Sequence, residues 1–159
     1  MPRTTRLTAR PACRLALVRR SRHLGLAVLR SSTLLFLETR RVRQPKDIRR
    51  VIGPLVSAYA VDEIVLETGG RLPAPAGDLR PAGRPVAVVR RSIARAKDTL
   101  LPPAFPHTHR HLFAELFRRF PALHRPSPRG ALSRDRVTQL LAVALALCGA
   151  DEKGNATNY

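Results

Sequence analysis

The sequence predicts an α/β protein on a mixed sheet, with three antiparallel strands first, parallel strands after them, and helices at the flanks. Three observations carry this. The stretch Cys13 to Leu37 divides into three apolar runs, Leu15–Val18, Leu24–Leu29 and Thr33–Leu37, each too short for a helix and bounded by polar breaks. Beyond Pro45 the apolar spacing becomes helical. Past that helix comes Ile64-Val65-Leu66, a contiguous run suited to a strand covered on both faces. A strand reached through a helix closes a right-handed crossover, so it pairs parallel to the first.

At 159 residues the chain has the size of one domain with a single real core. Hydrophobic content is 44%, but only five Phe, two Tyr and no Trp are available, so the core must be mainly Leu, Val and Ala. Charge is the outlying property: 29 Lys+Arg against 11 Asp+Glu, a net +18, and only three of the 29 are Lys. Such an excess reads as a phosphate-backbone binder, because each cation set on a phosphate releases a counterion. The competing reading is a GC-rich genome that favours Arg, Ala, Pro and Leu. Two cysteines, Cys13 and Cys148, make no disulfide framework and read as small buried residues in a reducing cytoplasm. No window reaches the roughly 20 apolar residues of a membrane span. Arg19-Arg20-Ser21-Arg22 superficially suggests a twin-arginine export signal, but no small-residue cleavage site follows it.

In chain order, residues 1–12 read as a basic, disordered arm, residues 13–149 as one domain and residues 150–159 as a polar tail. The breaks between the first three strands are Arg19-Arg20-Ser21-Arg22 and Arg30-Ser31-Ser32, and Gly25 inside the second run implies a bulge or a close backbone approach. Pro45 opens the first helix with Asp47 near its positive end. Ile48, Val51, Ile52, Leu55, Val56 and Tyr59 form its buried face, and Pro54 predicts a kink near Arg50. The strand Val61–Thr68 carries Glu67 at its carboxyl end, where strand ends open into crevices; a solvated strand terminus is the plain alternative. Residues 69–85, with four Pro and four Gly, form a flexible insert.

A short strand Val86–Val89 then leads into a basic helix from Arg90 to Leu101, the best local phosphate-contacting patch. His107 and His111 share a helical face as zinc ligands would, but no third ligand follows, and they read instead as the first turn of a helix from His107 to Phe120. Its stripe of Phe113, Leu116, Phe117 and Phe120 is core rather than a base-stacking platform. Ser133 caps the last helix, whose Val137, Leu140, Leu141, Ala144, Leu145 and Cys148 define one buried face, with Gly149 as its stop.

Within this order, Leu15–Val28 resembles the opening of Holliday-junction resolvases of the RuvC type, which read like LGIDPGSRxLGxAV. Ser21, Arg22, Leu24, Gly25, Ala27 and Val28 fit the pattern. Val61–Glu67 resembles the family's fourth strand, Val86–Leu101 its fifth strand and following basic segment, and Val137–Cys148 its closing helix. The resemblance implies a ribonuclease H-like fold over residues 13–149. It also implies two divalent metals, Mg²⁺ in an active member, held by an Asp on the first strand, a Glu on the fourth and one or two Asp on the last helix. Such ions must be gripped about 4 Å apart to activate water and stabilise the leaving oxygen.

Here the departures matter. Val18 stands at the first-strand position, Arg19-Arg20 replaces the Pro-Gly after it, and Gln139 stands near the closing-helix position. Glu67 matches, and Asp135 lies one turn before Gln139, so Glu67 and Asp135 are the candidate catalytic and metal-ligating residues. The expectation is therefore a RuvC-like nucleic-acid-binding protein, DNA ahead of RNA, with a degenerate site and no metal in use. Arg19, Arg20, Arg22, Arg90, Arg91, Arg95 and Lys97 should line one side of the sheet around the carboxyl ends of the first and fourth strands. Two alternatives stand: an active Mg²⁺-dependent endodeoxyribonuclease with a further acid not yet placed, and a basic protein-interaction domain. A homodimer is compatible with either; a membrane association is not expected.

Overall fold

The computed structural model describes residues 11–70, 72, 86–124 and 132–155, with backbone only at Pro45 and 149–155. Residues 1–10 of the basic arm, most of the 69–85 insert and residues 156–159 of the polar tail lie outside these residues. Among them, no helix is long and apolar enough to cross a membrane.

Three strands open the chain, β1 (Cys13–Arg20), β2 (His23–Arg30) and β3 (Thr33–Arg41). Arg20 pairs with His23 and Arg30 with Thr33, so each connection is a two-residue turn. Ser21 and Ser31, the first residues of those turns, both take positive φ, as a tight hairpin requires. The polar breaks are thus shorter than their composition suggests: Arg19 and Arg20 belong to β1. Helix α1 (Pro45–Tyr59) follows, its start fixed by Pro45 and by the Gln44 N–H donating to the Asp47 carboxylate at 3.0 Å. Pro54 sits on the exposed side and the helix runs on through it, since solvent can reach the freed Arg50 carbonyl.

β4 (Glu63–Glu67) pairs parallel with β1, and β5 (Ala87–Arg91) parallel with β4. The five strands run in the order β3-β2-β1-β4-β5. This is the mixed sheet that the apolar runs and the intervening helix predict. Arg90 and Arg91 finish β5 rather than opening a helix. The helix α2 (Ile93–Leu100) starts only after Ser92, whose hydroxyl accepts from the Arg95 N–H at 3.0 Å. Likewise α3 begins at His109, not His107, because Thr108 is its cap (His109–Arg119).

Side chains alternate across the sheet and divide the core in two. Leu15, Leu17, Leu24, Leu26, Val28, Ile64 and Leu66 meet Ile48, Ile52 and Val56 of α1. Ala16, Val18, Ala27, Leu29 and Val65 meet the other helices on the opposite face. There α4 (Arg134–Asn155) lies against β1 and β2, and α2 and α3 pack on it in turn. Leu140–Cys148 is consequently buried all round, not along one stripe. Helix α4 also continues past Gly149 to Asn155. One glycine in a helix interior costs only about 1 kcal/mol against Ala, too little to stop a helix already anchored by nine buried residues.

Gly25 marks where this layer closes on the sheet. A Cβ there would sit 2.6 Å from the Thr138 carbonyl oxygen, so only glycine lets α4 approach β2 this closely. That contact sets where the amino end of α4 stands relative to the ends of β1 and β4.

Candidate nucleic-acid interface

β1, β4 and β5 run the same way, so their carboxyl ends form one rim, carrying Arg19-Arg20, Glu67 and Arg90-Arg91. Strand alternation sorts these residues by face. Arg20 follows Ala16 and Val18 onto the α4 side, and Glu67 follows Val65 there. Arg19 follows Leu15 and Leu17 onto the α1 side, as Arg90 follows Val88.

Glu67 is held by Arg20. The guanidinium donates from Nη1 to Oε2 at 2.5 Å and from Nη2 to Oε1 at 2.8 Å, a two-pronged pair with the Glu67 side chain only 14% exposed. A further Nη1 bond to the Arg19 carbonyl, at 3.0 Å, fixes the head group. The hydrogen bond to Glu67 is the main reason the Arg20 guanidinium is pushed above its ordinary pKa; partial burial opposes it. On the far side, Arg91 pairs with Glu67 in the β4–β5 register, and its carbonyl accepts from the Thr68 N–H at 2.8 Å.

Asp135 does not join Glu67. It stands in the first turn of α4, with its carboxylate 2.9 Å from His23 Nδ1 and its carbonyl accepting from Thr39 Oγ1 at 3.2 Å. His23 lies directly across the hairpin from Arg20. The row Glu67, Arg20, His23, Asp135 therefore runs across the rim with an acid at each end and two basic side chains between them.

Val18 is fully buried in the apolar cluster shared with Leu140, Leu141 and Ala144. Gln139 accepts at Oε1 from Arg136 Nη1 at 3.1 Å. The residues present do not fit a two-metal site: one position is an apolar core residue, both oxygens of Glu67 are engaged by a guanidinium, and Asp135 is engaged by His23. Among the described residues no three His, Cys, Asp or Glu side chains converge as metal ligands would. His107 and His111 do not pair either. His107 Nδ1 lies 2.6 Å from Asp98 and His111 Nδ1 lies 2.7 Å from the Thr108 hydroxyl.

The predicted basic cluster is thus split. Arg20 and Arg91 reach the α4 side, where α2 adds Arg95 and Lys97; Arg22 sits exposed in the β1–β2 turn; Arg19 and Arg90 belong to the other face. Arg90 is turned to the Leu72 carbonyl at 3.1 Å. Alternation along a strand sends successive arginines to opposite faces, which is why a run of adjacent cations cannot all serve one surface. Arg19, Arg20, Ser21, Glu67, Thr68, Gly69 and Gly70 line a cavity of about 620 Å³ at the rim.

His109 stands near this rim, a placement that spacing alone does not reveal. Burial of its ring, which packs edge-on to Phe113 at 5.8 Å, lowers its pKa first; the charges of Lys97 and Arg20 lower it further and Glu67 raises it. The residue as a whole remains exposed. It stands within electrostatic range of Arg20, Lys97 and Glu67 on the α4 side.

No protein-family model and no curated protein sequence matches the chain. Among solved structures, RuvC of Thermus thermophilus superposes with a TM-score of 0.64 at 14% identity, over 91% of this chain and 97% of that one. The same protein in complex with a Holliday junction substrate superposes with a TM-score of 0.62 at 15% identity, over 92% and 97%. Strand order, the mixed pairing and nearly complete mutual coverage agree: this chain has the RuvC-type ribonuclease H-like fold.

Proposed function

We propose that the protein binds nucleic acid, DNA in preference to RNA, on a resolvase fold whose metal-dependent cleavage has been lost. The observation that carries this reading is the Arg20–Glu67 pair. Glu67 is the acid best placed by the resemblance to ligate a metal, and its two oxygens are already taken by a cation that is never deprotonated in practice. A second cation of charge +2 at that spot would face Arg20 at close range, and Val18 offers it no oxygen. The net charge of +18 and the cations on the α4 side of the rim supply attraction to phosphates without any metal. That one fold neighbour holds a Holliday junction makes a branched DNA the first ligand to try.

Fluorescence anisotropy with a labelled four-way junction and a matched linear duplex, across a salt series, tests the reading. If Arg20, Arg22, Arg91, Arg95 and Lys97 touch phosphates, the log–log slope should be about −3 to −5. A flat salt dependence favours the protein-interaction alternative. Incubation with Mg²⁺ or Mn²⁺ should leave both substrates intact; nicking abolished by Glu67→Gln would establish the active nuclease instead.

A further inference from the structure

The five N–H bonds of Arg20 can be accounted for one by one. The end-on edge, Nη1 and Nη2, is spent on the two oxygens of Glu67. The second Nη1 hydrogen goes to the Arg19 carbonyl. Two donors remain without a partner among the described residues: Nε–H and the outer hydrogen of Nη2, which together form the side-on edge of the same planar group. A guanidinium edge of this kind matches the spacing of two phosphate oxygens. The side chain is 43% exposed and lines the rim cavity of about 620 Å³. Since Arg20 cancels the charge of Glu67, Arg19 sets the sign of the cavity wall, and that sign is positive.

We propose that Arg20 is itself a phosphate ligand, its side-on edge receiving a phosphodiester group where a metal-dependent relative would place a divalent cation. Glu67 becomes a positioning residue: it grips one edge of the guanidinium and so orients the other. This deepens the nucleic-acid-binding reading above and rests on it for the identity of the natural ligand. The geometry also makes the contact independent of any metal, because the cation is covalently part of the chain.

Two measurements separate failure of this inference from failure of the broader reading. In the first, the ¹⁵N–¹H resonance of Arg20 Nε is followed while inorganic phosphate is titrated into the full chain. A saturable shift is expected, absent when the same titration is made with chloride; an unmoved resonance overturns the proposal whatever the protein does with DNA. In the second, four-way-junction affinity is measured in EDTA. Wild-type binding should be full in EDTA, and Mg²⁺ should not strengthen it, acting only as a competing counterion. Arg20→Gln should weaken binding by roughly ten- to a hundredfold and make the salt slope about one unit shallower. Arg20→Lys should keep the slope yet still lose affinity severalfold, because it retains the charge and loses the fork.

Arg20→Lys equal to wild type, or Arg20→Gln without effect, overturns the proposal while leaving nucleic-acid binding intact. Absence of any salt-dependent binding by the wild type overturns the broader reading. Arg20→Gln combined with Glu67→Gln guards against misfolding: it leaves no unpaired carboxylate and should bind as weakly as Arg20→Gln alone, whereas wild-type affinity in that double variant counts against Arg20 as a ligand.

Discussion

Glu67 and Asp135 stand at the same rim on the same face of the sheet, and they are held in opposite ways. Glu67 is 14% exposed and bound through both oxygens by an arginine, while Asp135 is 54% exposed and meets one nitrogen of His23. The first is a fixed pair whose carboxylate is mostly shielded from water, with geometry and charge reinforcing each other. The second is a surface contact, open to water and salt, with a partner whose charge depends on protonation. A two-metal centre needs its acids alike, convergent and free. Here each acid has been absorbed into local structure, the one into a rigid clamp and the other into a loose tie between α4 and β2.

The strongest way to break this arrangement is to restore the missing acid. Val18→Asp puts a carboxyl into a fully buried apolar cluster. The loss of stability should be about 3–5 kcal/mol, read from the urea midpoint. Millimolar Mg²⁺ should not recover it, because Arg20 remains on Glu67. Recovery of stability by Mg²⁺ would mean that Glu67 can leave its arginine, and the contrast between the two acids would collapse.

Gly25→Ala attacks the comparison selectively. The new Cβ, 2.6 Å from the Thr138 carbonyl, must push α4 away from β2. Overpacking of this kind costs about 1–3 kcal/mol. Asp135 rides on α4 and should lose His23, whereas Glu67 and Arg20 ride on β4 and β1 and should keep their bonds. Chemical shifts of His23 and of Arg20 Nε, compared between variants, would show whether only the former moves.

Much of this scaffold is legible from residue order. The three apolar runs locate β1 to β3, the Ile64–Leu66 run locates β4, and the helix between them implies the parallel pairing that is found. The close approach at Gly25 is legible too. What residue order hides is partnership across distance. Arg20 and Glu67 are 47 positions apart, and only the β1–β4 register and the strand alternation reveal that they share a face. For the same reason Arg19-Arg20 reads as a turn when it is the end of a strand, and Arg90-Arg91 reads as helix when Ser92 is the cap. His109 has no signature at all: its place depends on how α3 folds back on α4, which no local spacing encodes.

Neutralising each acid in turn sharpens the contrast with a smaller effect. Glu67→Gln should cost about 1 kcal/mol, a figure held down because Arg20 is itself 43% exposed. Asp135→Asn should cost about 0.5 kcal/mol or less, part of it from the lost charge at the start of α4. Paired thermal melts at low and high salt check both: the Asp135 variant should converge on wild type as salt rises, and the Glu67 variant should not. Equal costs would mean that burial and the second hydrogen bond add nothing to the Glu67 pair.

His109 supplies the finest test, because it feels one acid and not the other. Its pKa is held below the ordinary 6.5, first by burial and then by Lys97 and Arg20, with Glu67 pulling the other way. In the folded protein it therefore stays neutral at a pH where the unfolded chain has begun to take up a proton. The unfolded state binds more protons there, so the stability associated with this group is complete above about 6.5 and declines as pH falls through the lowered folded value. Because most of the residue is open to solvent, the decline should not exceed about a few tenths of a kcal/mol. The pKa itself, followed by the His109 ring-proton shift, is the sharper readout. Glu67→Gln removes the one opposing influence and should drive the pKa lower still, widening the acid-side window in which stability is lost. Asp135→Asn should leave it where it is. A His109 titration that moved with Asp135 rather than with Glu67 would place the ring in the wrong half of the rim.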